Sequence, residues 1–378
     1  MKNSFFFKAI NIAVLIILSG FLAISTAADK EKTFNVSKGE NLEATISNGN
    51  ITINTWDKLQ VYVKAYNIED EDLPELKIEQ SGNKVLVDFK GENSDDFYIE
   101  VSIPSQFNLK LMSGGGNIDF KGDVTGNVKI STGGGNISTS SVFGPVEINT
   151  GGGNIKLADV GDKLSVSTGG GDVSVGSISG TGDISSGGGN ISIKDVKNKL
   201  EVSTGGGNIS IGNVAGDCEV STAGGNIKVG KTSGKAELST AGGNIKLEGA
   251  SGKVEANTSG GNLNLMDVTG SIDANTAGGS ITAELSPVAG SKSELNTAGG
   301  NIKFVVPANA KANITVTLNV GKKINDADVE KLIKSDFQPS SVDLNKSSRQ
   351  LTKKFVLNGG GSDIEVNSAG GKIEINKK

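Results

Sequence analysis

The chain contains no histidine, one cysteine, six prolines, one tryptophan and three tyrosines, and aromatic side chains make up only 4% of its 378 residues. Without histidine it lacks the side chain that most often serves as general acid–base group or transition-metal ligand near neutral pH. With Cys218 alone, no internal disulfide is possible, so stability must come from packing and hydrogen bonds. Arg349 is the single arginine among 37 basic residues, which removes most bidentate clamps on phosphate or carboxylate. The net charge of −5 argues against a nucleic-acid partner. No feature calls for a cofactor, and past the first 28 residues no apolar run is long enough to span a bilayer. What the chain has in abundance is glycine, 54 residues of it without a collagen triplet, which suggests a repeat rich in tight corners.

The N-terminus reads as an export signal over residues 1–28. Lys2 and Lys8 form a basic start, Ile10–Ile24 is mostly apolar, and small residues Ser25, Thr26, Ala27 and Ala28 precede a charged stretch. Cleavage after Ala27 or Ala28 would leave no integral membrane segment. An uncleaved anchor is the competing reading. The protein is thus expected at the cell surface, outside the cell or in the periplasm.

The glycines lie in register. The residue after each glycine run falls at Asn117, Asn136, Asn154, Asp172, Asn190, Asn208, Asn226, Asn244, Asn262, Ser280 and Asn301, with spacing 18 in eight intervals, 19 in the first and 21 in the last. A weaker copy ends at Lys372, and Asn50 in "SNGNITI" marks a degenerate first one. Each unit holds two short alternating segments, such as Ile155/Leu157 and Leu164/Val166, and period-two alternation is the mark of a half-buried strand. One valine or isoleucine between them (Val142, Val160, Ile178, Val196, Val214) adds a fifth apolar position. Five buried side chains cannot offset the conformational entropy of a whole unit, so the units must stack. The expected fold is all-β: a single-stranded parallel β-helix, or β-solenoid, with rungs of about 18 residues. A left-handed coil of three hexapeptides needs an aliphatic residue every six positions, and stepping from Val160 through Val166 meets Asp172. A right-handed coil is therefore favoured.

In a solenoid, residues one period apart form columns. Asn136, Asn154, Asn190, Asn208, Asn226, Asn244 and Asn262 are expected to form an amide ladder at the corner, donating to one neighbouring rung and accepting from the other. Four residues earlier runs a hydroxyl column, from Thr132 to Thr297, and the glycines between are expected to supply positive φ and close backbone stacking. Seven residues before each marker lies an acidic column: Glu147, Asp183, Glu201, Glu219, Glu237, Glu255, Asp273 and Glu294, with Glu365 in the terminal copy and Ser165 interrupting. Its two readings are a row of contacts for a divalent cation or cationic partner, and a solvated face that keeps the rod soluble. Cys218 occupies an inward slot and reads as a small buried hydrophobe.

The ends differ from the middle. Residues 29–112 hold Trp56, Tyr62, Tyr66 and Tyr98 and read as a β-strand cap with the first rungs; the aromatics either close the apolar mouth or form a ligand platform at Trp56–Tyr62–Tyr66. Residues 113–304 are the regular repeats. Residues 305–378 read as strands, a short helix over 326–336 and a final capping rung ending "GGKIEIN".

The "GGGNI" repeats behind an export signal, with "EKTFNVSKGENLEATISNGNITI" and "VSIPSQFNLKLMSGGGNI" before them, resemble the bacterial DUF4097 ("putative adhesin") family and the related head-GIN-domain proteins. The resemblance covers most of residues 30–378 and implies a β-helical exported protein of the bacterial envelope, with no catalytic residues to carry over. The expected function is non-catalytic adhesion through long flat faces. Its partner would be an unidentified protein or glycan at the cell surface or in the envelope. The alternatives are a periplasmic scaffold or stress-associated protein-binding module and, further off, a polysaccharide-active β-helix enzyme.

Overall fold

The computed structural model describes residues 28–92, 96–320 and 329–378, and the expected export signal lies outside them but for Ala28. The alternating segments form two stacks of parallel strands joined at the glycine corner. Sheet 1 precedes the corner and contains Val128–Thr132, Val146–Thr150, Leu164–Thr168 and their successors; sheet 2 follows it with Ile137–Thr139, Ile155–Leu157, Val173–Val175 and onward. Each strand pairs with its equivalent one repeat away, Val128 opposite Val146 and Ile137 opposite Ile155. A third line of contact is a column of single parallel bridges, Val124 to Val142 to Val160 and on to Thr232. One apolar side chain per turn keeps that irregular side attached to the core. The inward residues of all three sides form one continuous core, in which Ile130, Ile148, Leu164 and Ile178 are fully buried.

At both ends, the order of strands in space departs from their order in sequence. In sheet 1 the early strand Asn41–Ile46 lies between Lys84–Phe89 and Asn108–Ser113. In sheet 2 its continuation Asn50–Trp56 lies between Tyr98–Pro104 and Ile118–Lys121. The C-terminus repeats this arrangement. Ser362–Ser368 inserts between Lys292–Thr297 and Ala312–Asn319, and Ile373–Lys377 between Ile302–Val306 and Ile333–Ser335. The last copy of the repeat is therefore an interior rung and not the cap. The covering strands are Ala312–Asn319 and the antiparallel pair Gln350–Leu357 and Ser341–Asn345.

The helix expected over 326–336 begins outside the described residues. Within them, Val329 is helical, Glu330–Leu332 is one 3-10 turn, and Ile333–Ser335 is strand. Parallel pairing with Ile373–Lys377 and burial of Ile333 override the local preference there. The apolar mouth at the N-terminal end is filled by Phe89, Phe97 and Phe107, all buried, with Phe89 and Phe97 stacked at 3.9 Å. Trp56, Tyr62, Tyr66 and Tyr98 stand half-exposed on the outside instead.

Lysines close the backbone edges. Lys30 Nζ donates to the Leu76 carbonyl at 3.0 Å and Lys32 Nζ to that of Ile78 at 2.6 Å, at the outermost strand of sheet 1. At the far end Lys353 Nζ donates to the Ile333 carbonyl at 3.0 Å. A charged donor on an edge carbonyl occupies the group that another chain would need for strand pairing.

Candidate binding face

The corner explains why its residue types recur. Thr240 is buried, and its hydroxyl donates to the Gly225 carbonyl of the previous rung at 2.9 Å while accepting from the Gly243 N–H of its own rung at 3.2 Å. The same double contact is made by Thr132, Thr222, Thr258 and Thr276. The marker column forms the expected amide ladder over part of its length and adds a backbone bond to it. Its main bond joins each Oδ1 to the backbone N–H of the next marker, as from Asn136 to Asn154 at 2.9 Å and from Asn154 to Asp172 at 2.8 Å. In the rungs from Asn190 to Asn262 the next side-chain Nδ2 donates to that oxygen too, as from Asn226 to Asn208 at 3.0 Å. An aspartate serves at 172 because only the oxygen is required. The ladder continues through both intercalated ends, from Asn50 to Asn117 and from Asn301 to Lys372.

The corner glycines from Gly114 to Gly300 do not have positive φ, contrary to expectation. They are needed for close approach. A Cβ on Gly225 would lie 1.9 Å from the Gly207 carbonyl oxygen, and one on Gly153 would lie 2.0 Å from that of Gly135. The middle glycines Gly134, Gly152, Gly170 and Gly188 have nothing within 4 Å of a Cβ position.

The outer side of sheet 1 carries the chemistry that changes along the rod. The acidic column is there, half-buried to exposed: Glu147, Asp183, Glu201, Glu219, Glu237, Glu255, Asp273 and Glu294, in register with Glu365. Spatial order extends it toward the N-terminus through Lys129, Lys110 and Glu43, so its first rungs are of mixed sign. A lysine column two residues earlier on the same face offsets much of the remainder. Lys199 pairs with Glu201 at 3.6 Å, Lys235 with Glu237 at 2.5 Å and with Glu255 at 3.3 Å, and Lys253 with Glu255 at 2.5 Å. Lys253 and Lys235 hold the Glu255 carboxyl below its usual range, and Lys129 does the same for Glu147. Lys110 and Lys84 together lower Glu43. Among the described residues no group of three His, Cys, Asp or Glu side chains is arranged to hold a metal ion.

A third outward column on this face, two residues after the acids, was overlooked as a site in reading the sequence. It is Ser131, Asn149, Ser167, Ser185, Ser203, Ser221 and Ser239, then Asn257, Asn275, Asn296 and Asn367 in succession. The successive asparagines bond Nδ2 to Oδ1 in an unbroken run, 275 to 257 at 3.1 Å, 296 to 275 at 2.8 Å and 367 to 296 at 2.9 Å. The signal was present as a change from serine to asparagine at one repeat position. The first corner residue changes from glycine two rungs earlier, at Ala223 and Ala241, and continues as Ser259, Ala277, Ala298 and Ala369 through the asparagine rungs. These two columns border a groove of about 890 Å³ that ends against Thr317, Asn319 and Gln350.

The aromatic cluster does not present a flat platform. Tyr66 lies between Tyr98, stacked at 4.4 Å, and the Lys64 ammonium, 4.4 Å from its ring centre. Lys58 covers Trp56 at 4.8 Å. Trp56 and Tyr62 are tilted by 33° at 6.5 Å, so their rings do not lie in one plane. Cys218 is buried in its inward slot, and desolvation pushes its thiol up to about 12, so at neutral pH it is protonated and hidden.

A family model described as Toastrack DUF4097 matches the chain twice, over residues 33–199 and 194–376. Among solved structures the chain is similar to a "putative adhesin" from Parabacteroides distasonis, at 16% identity over 74% of this chain and 98% of that one, with a TM-score of 0.31. It is also similar to a "putative adhesin" from Bacteroides fragilis, at 12% identity over 94% and 99% of the two chains, with a TM-score of 0.20. A third, named a "putative lipid binding protein" and also from Parabacteroides distasonis, is 13% identical over 92% and 96%, with a TM-score of 0.21. No curated protein matches the chain. Among the described residues no helix is long and apolar enough to cross a membrane.

Proposed function

Given that the chain belongs to the DUF4097 (Toastrack) family, we propose that it is an exported bacterial surface protein whose long faces adhere to a partner without catalysis. On this reading the rod is a right-handed β-helix with rungs of 18 residues, and its partner is a glycan or protein at the cell surface or in the envelope. The observation that carries the reading is the outer side of sheet 1. Three side-chain columns run there at a spacing of about 4.8 Å, each keeping one residue type over several, though not all, rungs. A surface that offers similar groups over successive steps binds by summing many weak contacts, and its strength grows with the number of steps engaged. Catalysis instead needs one place that differs from its neighbours.

Export is supported by the basic start and the apolar Ile10–Ile24 stretch before the first strand. The acidic column belongs to this reading as a contact for cationic groups, moderated by the lysines beside it. Surface proteolysis of intact cells, with fractionation, tests the location. Cleavage in intact cells is expected. Full protection would leave the periplasmic scaffold as the better account. For the acidic column the measurement is a calcium titration followed by thermal melting. A rise in melting temperature supports a contact role, and an unchanged one assigns the column to solubility.

A further inference from the structure

We infer that the groove between the asparagine column and the alanine corner of the last rungs binds a neutral, linear, β-linked polysaccharide laid along the rod axis. The inference rests on the adhesive reading above and gives it a site and a ligand class. Two changes of residue overlap in the last rungs, the corner change starting two rungs earlier, at Ala223 and Ala241 beside Ser221 and Ser239. At the outward position of sheet 1, serine gives way to Asn257, Asn275, Asn296 and Asn367, and at the corner, glycine gives way to alanine or serine. The fold itself requires neither change, since Ser203 and Gly205 hold the equivalent positions in regular rungs. Together they give the groove an amide floor and a wall carrying the methyl groups of Ala241, Ala277 and Ala298. Asn275, Asn296 and Asn367 are half-buried, so they lie within the groove and are not on open surface.

That lining suits a sugar chain, whose rings have apolar C–H faces and hydroxyl edges. The methyl groups meet the faces. The Nδ2 hydrogens of Asn275 and Asn296 are taken by Asn257, Asp273, Asn275 and Glu294, so the floor meets the hydroxyls through the remaining lone pairs of its amide oxygens, which accept. Spacing decides between an extended sugar chain and an extended peptide. The floor repeats every ~4.8 Å, whereas a strand running along the axis advances ~3.3 Å per residue and falls out of step at once. A β-linked polysaccharide advances by nearly one rung per sugar. From Ser239 to Thr317 the groove crosses six strands, about 24 Å. Charge sets the remaining limit. Asp273, Glu294 and Glu365 stand two residues from the floor on the same face, and they disfavour uronate or sulfate polymers.

The test measures binding of the mature chain to hexamers and dimers of β-1,4-linked glucose and N-acetylglucosamine, with hexagalacturonate for comparison. A neutral hexamer is expected to bind at least about tenfold more tightly than its dimer, since each added sugar meets another rung. The double variant Asn275→Ser, Asn296→Ser is expected to lose about tenfold in affinity for that hexamer and to keep its fold, because serine fills this column in the middle rungs. An unchanged melting temperature and a Cys218 thiol still unreactive without denaturant verify the fold. Equal affinity for dimer and hexamer, absence of hexamer binding, unchanged affinity in the double variant, or preference for hexagalacturonate each overturns the inference. Adhesion of intact cells separates this from the broader reading. If the double variant adheres as well as the parent while deleting the protein abolishes adhesion, the groove is excluded and the adhesive function stands. If deletion leaves adhesion unchanged, the function itself fails.

Discussion

At the scale of single residues, the corner glycines are set by steric contact across rungs. Gly225, the last residue of its corner, and Gly152, the middle one of its triplet, face different space, one a carbonyl at 1.9 Å from a Cβ position and the other nothing within 4 Å. Gly225→Ala is therefore expected to destabilise the protein by about 1–3 kcal/mol or more, through forced separation of stacked backbones. Gly152→Ala is expected to be neutral or to stabilise by about 0.4–1 kcal/mol, because it restricts the unfolded chain at no native cost. Denaturant melts of the two variants test this difference. A second residue-scale expectation concerns Glu43, whose carboxyl is lowered first by Lys110 and then by Lys84. A carboxylate with a depressed folded value stabilises above its unfolded value, about 4.3, and the contribution is lost as pH falls through the folded value. Glu43→Gln should thus lose less stability than the parent between pH 7 and about 3, measured by urea midpoints at each pH.

At the scale of one strand and its corner, the hydroxyl column holds adjacent rungs together. Thr240→Val keeps the shape of the side chain but leaves the Gly225 carbonyl and Gly243 N–H without their partner. The expected cost is about 1–3 kcal/mol, the penalty of unpaired buried polar groups. Thr240→Ser retains the hydroxyl and should cost much less, as Ser186 makes the same two contacts at 3.2 and 3.1 Å. Equal melting temperatures for the two variants would count against the hydroxyl and in favour of simple packing. Much at this scale was legible in sequence. Alternation around Leu164 and Val166 placed the strands, and the period placed the columns. The direction of the asparagine bonds was not legible. It depends on where Asn136 Oδ1 lies relative to the next rung's N–H, and sequence spacing carries no such orientation.

At the scale of the whole molecule, the intercalated ends matter most. Residues 362–377 fill a slot two strands wide between segments joined by only a short connection, Val306 to Ala312. Removing residues 362–378 takes an interior rung from both sheets, so it should undo more than its own length. Amide exchange is expected to lose protection across 292–306, 312–320 and 333–357, while the rungs around 200–240 stay protected because each rung is supported chiefly by its neighbours. Retained protection at Lys292–Thr297 would mean that the end rung holds without its partner.

The sequence by itself determined the period, the two strands per unit, the inward and outward alternation and the acidic column, because each follows from spacing along one chain. Tertiary structure alone decided which rung lies beside which at the ends, which side of the molecule the aromatics face, and that the lysines neutralise half of the acidic row. Those depend on contacts between residues far apart in sequence. Glu43 sits beside Lys110, and Asn296 beside Asn367, only because the chain leaves its own order to close both ends of the rod.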